Sequence, residues 1–309
     1  MAVEEYLLEN FKQDIFLLWQ NQSAVIVGRY QNALAEINFE FIEENNIKVV
    51  RRLTGGGAVF HDLGNLNFTF IKNGANPNFK EFTAPIIGLL NTMGVEACFQ
   101  GRNDIVIDGK KISGNAMLVS GNRTLEHGTL LFSAHMANLA SALKANPLKF
   151  EDKAVKSIKN RVTNISNYLK EEMSVLEFRD KIVSYMSKHV DSFEEYKFTD
   201  EDIANIQKLT KDKYSTWDWN FGKSPNYSYA KMTRTAGGNL EIHLNIINGV
   251  IEDVKIFGDF FGKNINQLET HLKGCNHNQE SIEKRLNELN ISNYINNISN
   301  EDILRNIMN

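Results

Sequence analysis

The residues of this sequence best suited to chemistry are a basic pair and a glycine run, Arg51-Arg52-Leu53-Thr54-Gly55-Gly56-Gly57-Ala58, set between two stretches of strand composition. Each glycine loses more backbone freedom on folding than any other residue, so three together suit a loop whose N–H groups approach an anion closely. No GK[ST] follows them and no helix pattern opens on them, which excludes a Walker A loop and a dinucleotide fingerprint. The pattern leaves two readings open: an anion cradle, or a glycine-rich turn between two solvated arginines. A second group of donors surrounds Asp108-Gly109, with Gly101-Arg102-Asn103-Asp104 before it and Lys110-Lys111-Ile112-Ser113-Gly114-Asn115-Ala116 after it. Neighbouring strand residues point to opposite faces, so at most one of the two lysines can share a side with the glycine loop. The small residues that follow Lys111 leave room for a ligand. A lone strand histidine such as His127 is ordinarily a packing residue. His61 and Asp62 are adjacent and diverge, so no base and orienting acid are assigned to them.

The elements that must position these residues can be read from periodicity. Val3, Tyr6, Leu7 and Phe11 recur at helical steps, as do Leu34, Ile37 and Phe41. Residues 24–28, 47–52 and 66–70 read as strands, the last with alternation of period two. Residues 104–113 form a hairpin, because Asp-Gly is the dipeptide a type I′ turn favours. Ser174 to Glu177 matches a capping box opening a helix that carries Phe178, Ile182 and Met186. Another helix spans 200–209, followed by polar Lys211-Asp212-Lys213, where the domain boundary is placed. Beyond it, residues 241–247, the Asn248-Gly249 turn and residues 250–257 give a second hairpin with helices after it.

The chain has 309 residues, 42% of them hydrophobic, enough for two packed units and incompatible with whole-chain disorder. With 34 Lys+Arg against 38 Asp+Glu the net charge is −4, which argues against a nucleic-acid partner. The two cysteines, Cys98 and Cys275, form neither a disulfide framework nor a zinc pattern, and no secretory or membrane-spanning segment is seen. A reduced cytoplasmic setting, no membrane partner and a monomeric state are expected.

Taken together, residues 51–65, Gly101-Arg102-Asn103-Asp104, residues 111–116, residues 127–131, Arg161-Val162-Thr163-Asn164 and residues 217–222 occur in the order found in lipoate-protein ligase A enzymes, and the chain resembles that family over nearly its whole length. The resemblance implies an α+β fold: a large catalytic domain with mixed β-sheets flanked by helices, like the biotin and lipoyl ligases, plus a small C-terminal α+β domain. The domains are expected at 1–212 and 213–309, with a hinge near 211–213. It implies ATP-dependent attachment of lipoate or octanoate to a lysine of lipoyl-domain proteins, 2-oxoacid dehydrogenase E2 subunits or the glycine-cleavage H protein, through lipoyl-AMP and with Mg²⁺.

By the same resemblance Lys111 is the central catalytic residue. Arg52, Trp19, His127, Glu5 and Ile26 line the lipoate pocket. Thr54, Gly55, Gly56, Gly57, Ala58, Phe60, Asn65, Asn103, Asp104, Ser113, Ala116 and Thr129 contact ATP or the adenylate, and Asp104 is a metal ligand. In the family, the block that opens this sequence follows a short strand, so an uncovered sheet edge and a disturbed lipoyl pocket wall near Glu5 are expected. Two other readings stand beside this one: a lipoyl or octanoyl transferase working through a cysteine thioester, and a non-catalytic binder of lipoyl adenylate.

Overall fold

The computed structural model describes residues 1–31, 33–75, 78–143, 161–190, 192–221, 229–247, 250–277 and 279–308. Helix α1 (Ala2–Asn10) has the expected apolar spacing and buries Leu7 and Leu8 beside Ile71 and Leu125. The next helical pattern divides into α2 (Ala33–Glu36) and α3 (Phe39–Glu44). Its break lies at Ile37, which bridges to Leu143, and at Asn38, whose side chain accepts the Phe41 N–H. Asparagine is a strong N-cap and starts a new helix there instead of continuing the old one.

The first nine strands are β1 (Ile15–Trp19), β2 (Ala24–Val27), β3 (Lys48–Arg51), β4 (Val59–His61), β5 (Asn65–Asn73), β6 (Ala97–Gln100), β7 (Asp104–Ile107), β8 (Lys110–Ser120) and β9 (Arg123–Leu131). Six of them form one sheet in the order β1-β5-β9-β8-β7-β6, with antiparallel neighbours throughout. The smaller sheet has the order β3-β2-β4 and is mixed. Its β2 and β4 run antiparallel. Lys48 donates to the Ser23 carbonyl and Arg52 to that of Val27, the constant offset of a parallel pair. The hairpin turn is as the sequence predicts, with Asp108 at φ 51° and Gly109 at φ 72°.

One face of the large sheet carries Leu66, Phe68, Phe70, Ile105 and Leu130, packed with Phe82, Ile86 and Leu90 of α4 (Phe79–Thr92) and with Phe178 and Ile182. The last two belong to a helix at Val175–His189, opened by the expected Ser174 capping box. Strand β5 departs from a half-exposed pattern: its polar Asn67 and Thr69 are as buried as its phenylalanines. A helix at Asp200–Leu209 is extended by a π-helical turn at Thr210–Tyr214, so Lys211 to Lys213 lie in a helical turn and Tyr214 is buried.

The chain divides into two units, Met1–Ile26, Ile37–Val50 and Val59–Thr216 in one, and Val27–Glu36, Arg51–Ala58 and Trp217–Asn309 in the other. The second unit contains a three-stranded antiparallel sheet, β10 (Tyr229–Thr235), β11 (Gly238–Ile247) and β12 (Val250–Gly258). Helices at Ile265–Leu272, Gln279–Asn287 and Asn300–Met308 bury Leu268, Leu272, Leu286, Ile303 and Ile307 in its core. The expected Asn248-Gly249 turn, and Gly222 of the last family motif, fall outside the described residues.

Glu126 stands out in the apolar core of the first unit. It sits on β9 opposite Phe70 and Met117, is fully buried, and neither carboxyl oxygen has a hydrogen-bonding partner among the described residues. Burial pushes this acid up to about 9 against the weaker downward pull of Lys72. The folded chain therefore holds a proton that the unfolded chain has released above its ordinary 4.5. Stability from this group is full below about pH 4.5 and is lost as pH rises toward 9. Glu126→Gln, which mimics the protonated acid, is expected to match wild type in thermal melts at pH 5 and to melt higher at pH 8.5.

Candidate active site

Residues paired directly across antiparallel strands share a face, so the registers show which side chains stand together. One row runs Trp19, Asn67, Thr129, Gly114 and Asp104 across β1, β5, β9, β8 and β7. Two residues along, the next row on the same face runs Leu17, Thr69, His127 and Ala116. This face, opposite the phenylalanine core, gathers Trp19, His127, Ala116, Thr129 and Asp104 from the expected set.

Lys111 reaches that face because of a β-bulge. Opposite β7, Ser113 pairs with Ile105 while Lys111 pairs with Val106, which leaves Ile112 as an extra residue. Strict alternation from Gly114 would have turned Lys111 toward the core; the bulge returns it to the side of Asp104. Its ammonium lies 2.8 Å from Asp104 Oδ1, both side chains about one-third exposed. A Cβ at Gly114 would stand 2.7 Å from Lys111 Nζ, so the glycine makes the space the ammonium occupies. Ser113 falls on the opposite face with Ile105 and Leu130, its hydroxyl fully enclosed. Asn103 and Asn115 bond to each other's backbone carbonyls, so Asn103 spends its amide bracing the turn before Asp104.

At the other end of the face a carboxylate outside the expected set, Glu4, ties together Trp19, Thr69 and His127. Trp19 Nε1 donates to Thr69 Oγ1 at 2.9 Å, and Thr69 Oγ1 donates to Glu4 Oε1 at 2.6 Å. His127 Nδ1 lies 2.8 Å from the same oxygen, and since a carboxylate only accepts, Nδ1 carries the proton. Burial alone would raise Glu4, yet the charge and hydrogen bond of His127, the N-terminal ammonium and Thr69 together hold it down to about 2. Glu5, the expected wall residue, instead accepts from Lys213 Nζ at 2.6 Å and from the Tyr214 hydroxyl at 2.7 Å. Only the phase of α1 separates the two glutamates. His61 accepts from Asn21 and donates to Thr129 Oγ1 at 2.8 Å, while Asp62 accepts from the Gly64 and His135 N–H groups. The two diverge as expected.

The arginines beside the glycine loop are not solvated, as one reading of the sequence had them. Both arginines are buried. Arg51 donates to the carbonyls of Gly28, Gln31, Trp219 and Asn220, and burial lowers its guanidinium to about 10. Arg52 donates to Thr54 Oγ1 and to the carbonyls of Gly55 and Gly57, and so holds the loop in shape. At Gly55 a Cβ would stand 2.3 Å from the Phe260 carbonyl oxygen, while Gly56 adopts φ 91° and donates to that carbonyl. Backbone packing therefore explains these two glycines. Ala58 follows the loop, half-buried. Ile26 and Phe60 are buried on β2 and β4, and Asn65 Oδ1 accepts the Asp62 N–H. Among the described residues no group of three or more His, Cys, Asp or Glu side chains could hold a metal ion.

Two family models match this chain: the lipoyl protein ligase A/B catalytic domain over residues 1–187, and the bacterial lipoate protein ligase C-terminus over residues 224–307. The lipoate-protein ligase LplJ of Bacillus subtilis is 43% identical, covering 98% of this chain and 94% of its own. The crystal structure of P. falciparum LipL1 in complex with lipoate superposes with a TM-score of 0.78 at 28% identity, over 99% of this chain and 94% of that one. A lipoate-protein ligase A bound with ATP gives a TM-score of 0.63 at 28% identity, over 72% of this chain and 92% of that one.

Removing the Glu4 carboxylate takes away the acceptor that the buried Thr69 hydroxyl and the His127 Nδ1–H share. Glu4→Ala is expected to cost about 3–5 kcal/mol in urea unfolding at pH 7. A depressed acid adds stability above its unfolded value and loses it as pH falls through the folded one. The difference between the two proteins should therefore shrink between pH 4.5 and about 2; a constant difference would contradict the ionised pair.

Proposed function

The chain belongs to the lipoate-protein ligase family, ATP-dependent enzymes that join free lipoate to a protein lysine, and from that premise we propose that Lys111 is the group on which acyl activation turns. The observation that carries this reading is the bulge at Ile112, which sets the Lys111 ammonium beside Asp104 on the polar face of the sheet. Along that face the order of side chains supports a substrate lying with its carboxylate at Lys111 and its tail toward Trp19 and His127.

Lipoate first attacks the α-phosphorus of ATP through a carboxylate oxygen; the bond to pyrophosphate breaks and lipoyl-AMP forms. Charge builds on the phosphoryl oxygens in that step, where one fixed donor is worth a factor of about 10² to 10³. A lysine suits this position because its three donors can meet carboxylate and phosphate oxygens on different sides. Thr129 and Ala116 line the same face. Mg²⁺ needs only one or two carboxylates beside phosphate and water. The Asp104 side chain, 34% exposed, meets that demand, and the ion neutralises charge on the leaving pyrophosphate when bound. In the second step the amine of an acceptor lysine attacks the acyl carbonyl, AMP leaves, and an amide remains. The acceptors are lipoyl domains, and the enzyme works as a cytoplasmic monomer. No helix among the described residues is long and apolar enough to cross a membrane.

The transferase reading has one residue in its favour. Cys98 lies on the edge strand β6, exposed, in the row of Val106 and Lys111. Lipoylation of a purified lipoyl domain with pyrophosphate release followed in parallel separates the two mechanisms. Wild type and Cys98→Ala are expected to give both products at equal rates, and Lys111→Ala to lose both by at least about 100-fold. Loss of transfer in Cys98→Ala alone would favour the thioester route. Lipoyl-AMP formation without transfer to any lipoyl domain would favour a binder.

A further inference from the structure

Asn67 is the most anomalous polar residue on the site face. It sits on β5 between Trp19 and Thr129, is fully buried, and neither Nδ2 nor Oδ1 has a hydrogen-bonding partner among the described residues. Its neighbours are already committed: the Trp19 indole donates to Thr69 and the Thr129 hydroxyl bonds to His61. A buried carboxamide with both ends unsatisfied is costly, and such groups in folded proteins ordinarily meet a partner.

The register places Asn67 two strands from Gly114, the residue beneath the Lys111 ammonium. Two strand spacings are about 10 Å, comparable with a five-carbon arm ending in a small ring. We propose that Asn67 is the residue that recognises the dithiolane ring and so makes the site prefer lipoate over a straight-chain acid of equal length such as octanoate. This rests on the reading that Lys111 holds the acyl carboxylate. The chemistry fits both ends of the amide. A polarizable ring sulfur accepts from Nδ2–H, and the same disulfide meets a carbonyl oxygen end-on, opposite its S–S bond. Octanoate offers neither group and leaves the amide unsatisfied, the situation in which a polar site discriminates against an apolar analogue.

The test compares lipoate and octanoate as substrates for ATP-dependent adenylation, read as pyrophosphate release, in wild type, Asn67→Leu and Asn67→Ala. Wild type is expected to prefer lipoate. In Asn67→Leu the KM for lipoate should rise about tenfold while that for octanoate holds or falls, with the KM for ATP unchanged. Because the ratio is taken within one protein, a fraction of misfolded enzyme does not alter it, and Asn67→Ala supplies the same ratio if the leucine variant does not fold. An unchanged lipoate-to-octanoate ratio in the variants overturns the role of Asn67 and leaves the ligase reading standing. A wild type that activates neither acid overturns that reading and this inference with it.

Discussion

The arrangement depends on the two-residue period of the six-stranded sheet and on the single place where that period is broken. Alternation commits one face to Phe68, Phe70, Ile105 and Leu130, packed under two helices, and the other to Trp19, Asn67, Thr69, His127 and Thr129. A strand buried on both sides must satisfy its polar side chains internally, which is costly unless those groups have work to do. The bulge at Ile112 brings Lys111 onto the polar face, where a regular strand would have turned it into the core. One inserted residue thus decides whether the cation meets Asp104.

At the opposite end the same economy holds. One oxygen of Glu4 accepts from Thr69, which accepts from Trp19, and lies within bonding distance of the His127 imidazole, so a single carboxylate fixes both the indole and the imidazole. The glycine loop is braced differently. Arg52 draws the Gly55 and Gly57 carbonyls together, and close backbone packing excludes a side chain at Gly55.

What the sequence made legible follows from which interactions are local. The Asp108-Gly109 turn and the Ser174 capping box are complete within a few residues, and both stand where periodicity put them. The family motifs named most of the polar face without showing that it is one face, since that follows only from register. The bulge has no compositional sign. Glu4 and Glu5 are indistinguishable in the sequence, and their partners lie far along the chain, at Thr69 and His127 for the one and at Lys213 and Tyr214 for the other. That arginine rarely lies fully buried favours the solvated reading of Arg51 and Arg52; here backbone carbonyls satisfy them. The orphaned amide of Asn67 is likewise a property of packing, which the alternation of its strand does not disclose.

A crystal structure of this chain with lipoyl adenylate bound decides whether the polar face of the sheet holds the acyl chain as proposed. The acyl carbonyl is expected beside Lys111 and the dithiolane between Trp19 and Asn67, on the face opposite Phe68 and Phe70. An acyl chain lying elsewhere, or a Lys111 ammonium that remains on Asp104 and touches neither carbonyl nor phosphate, would contradict it.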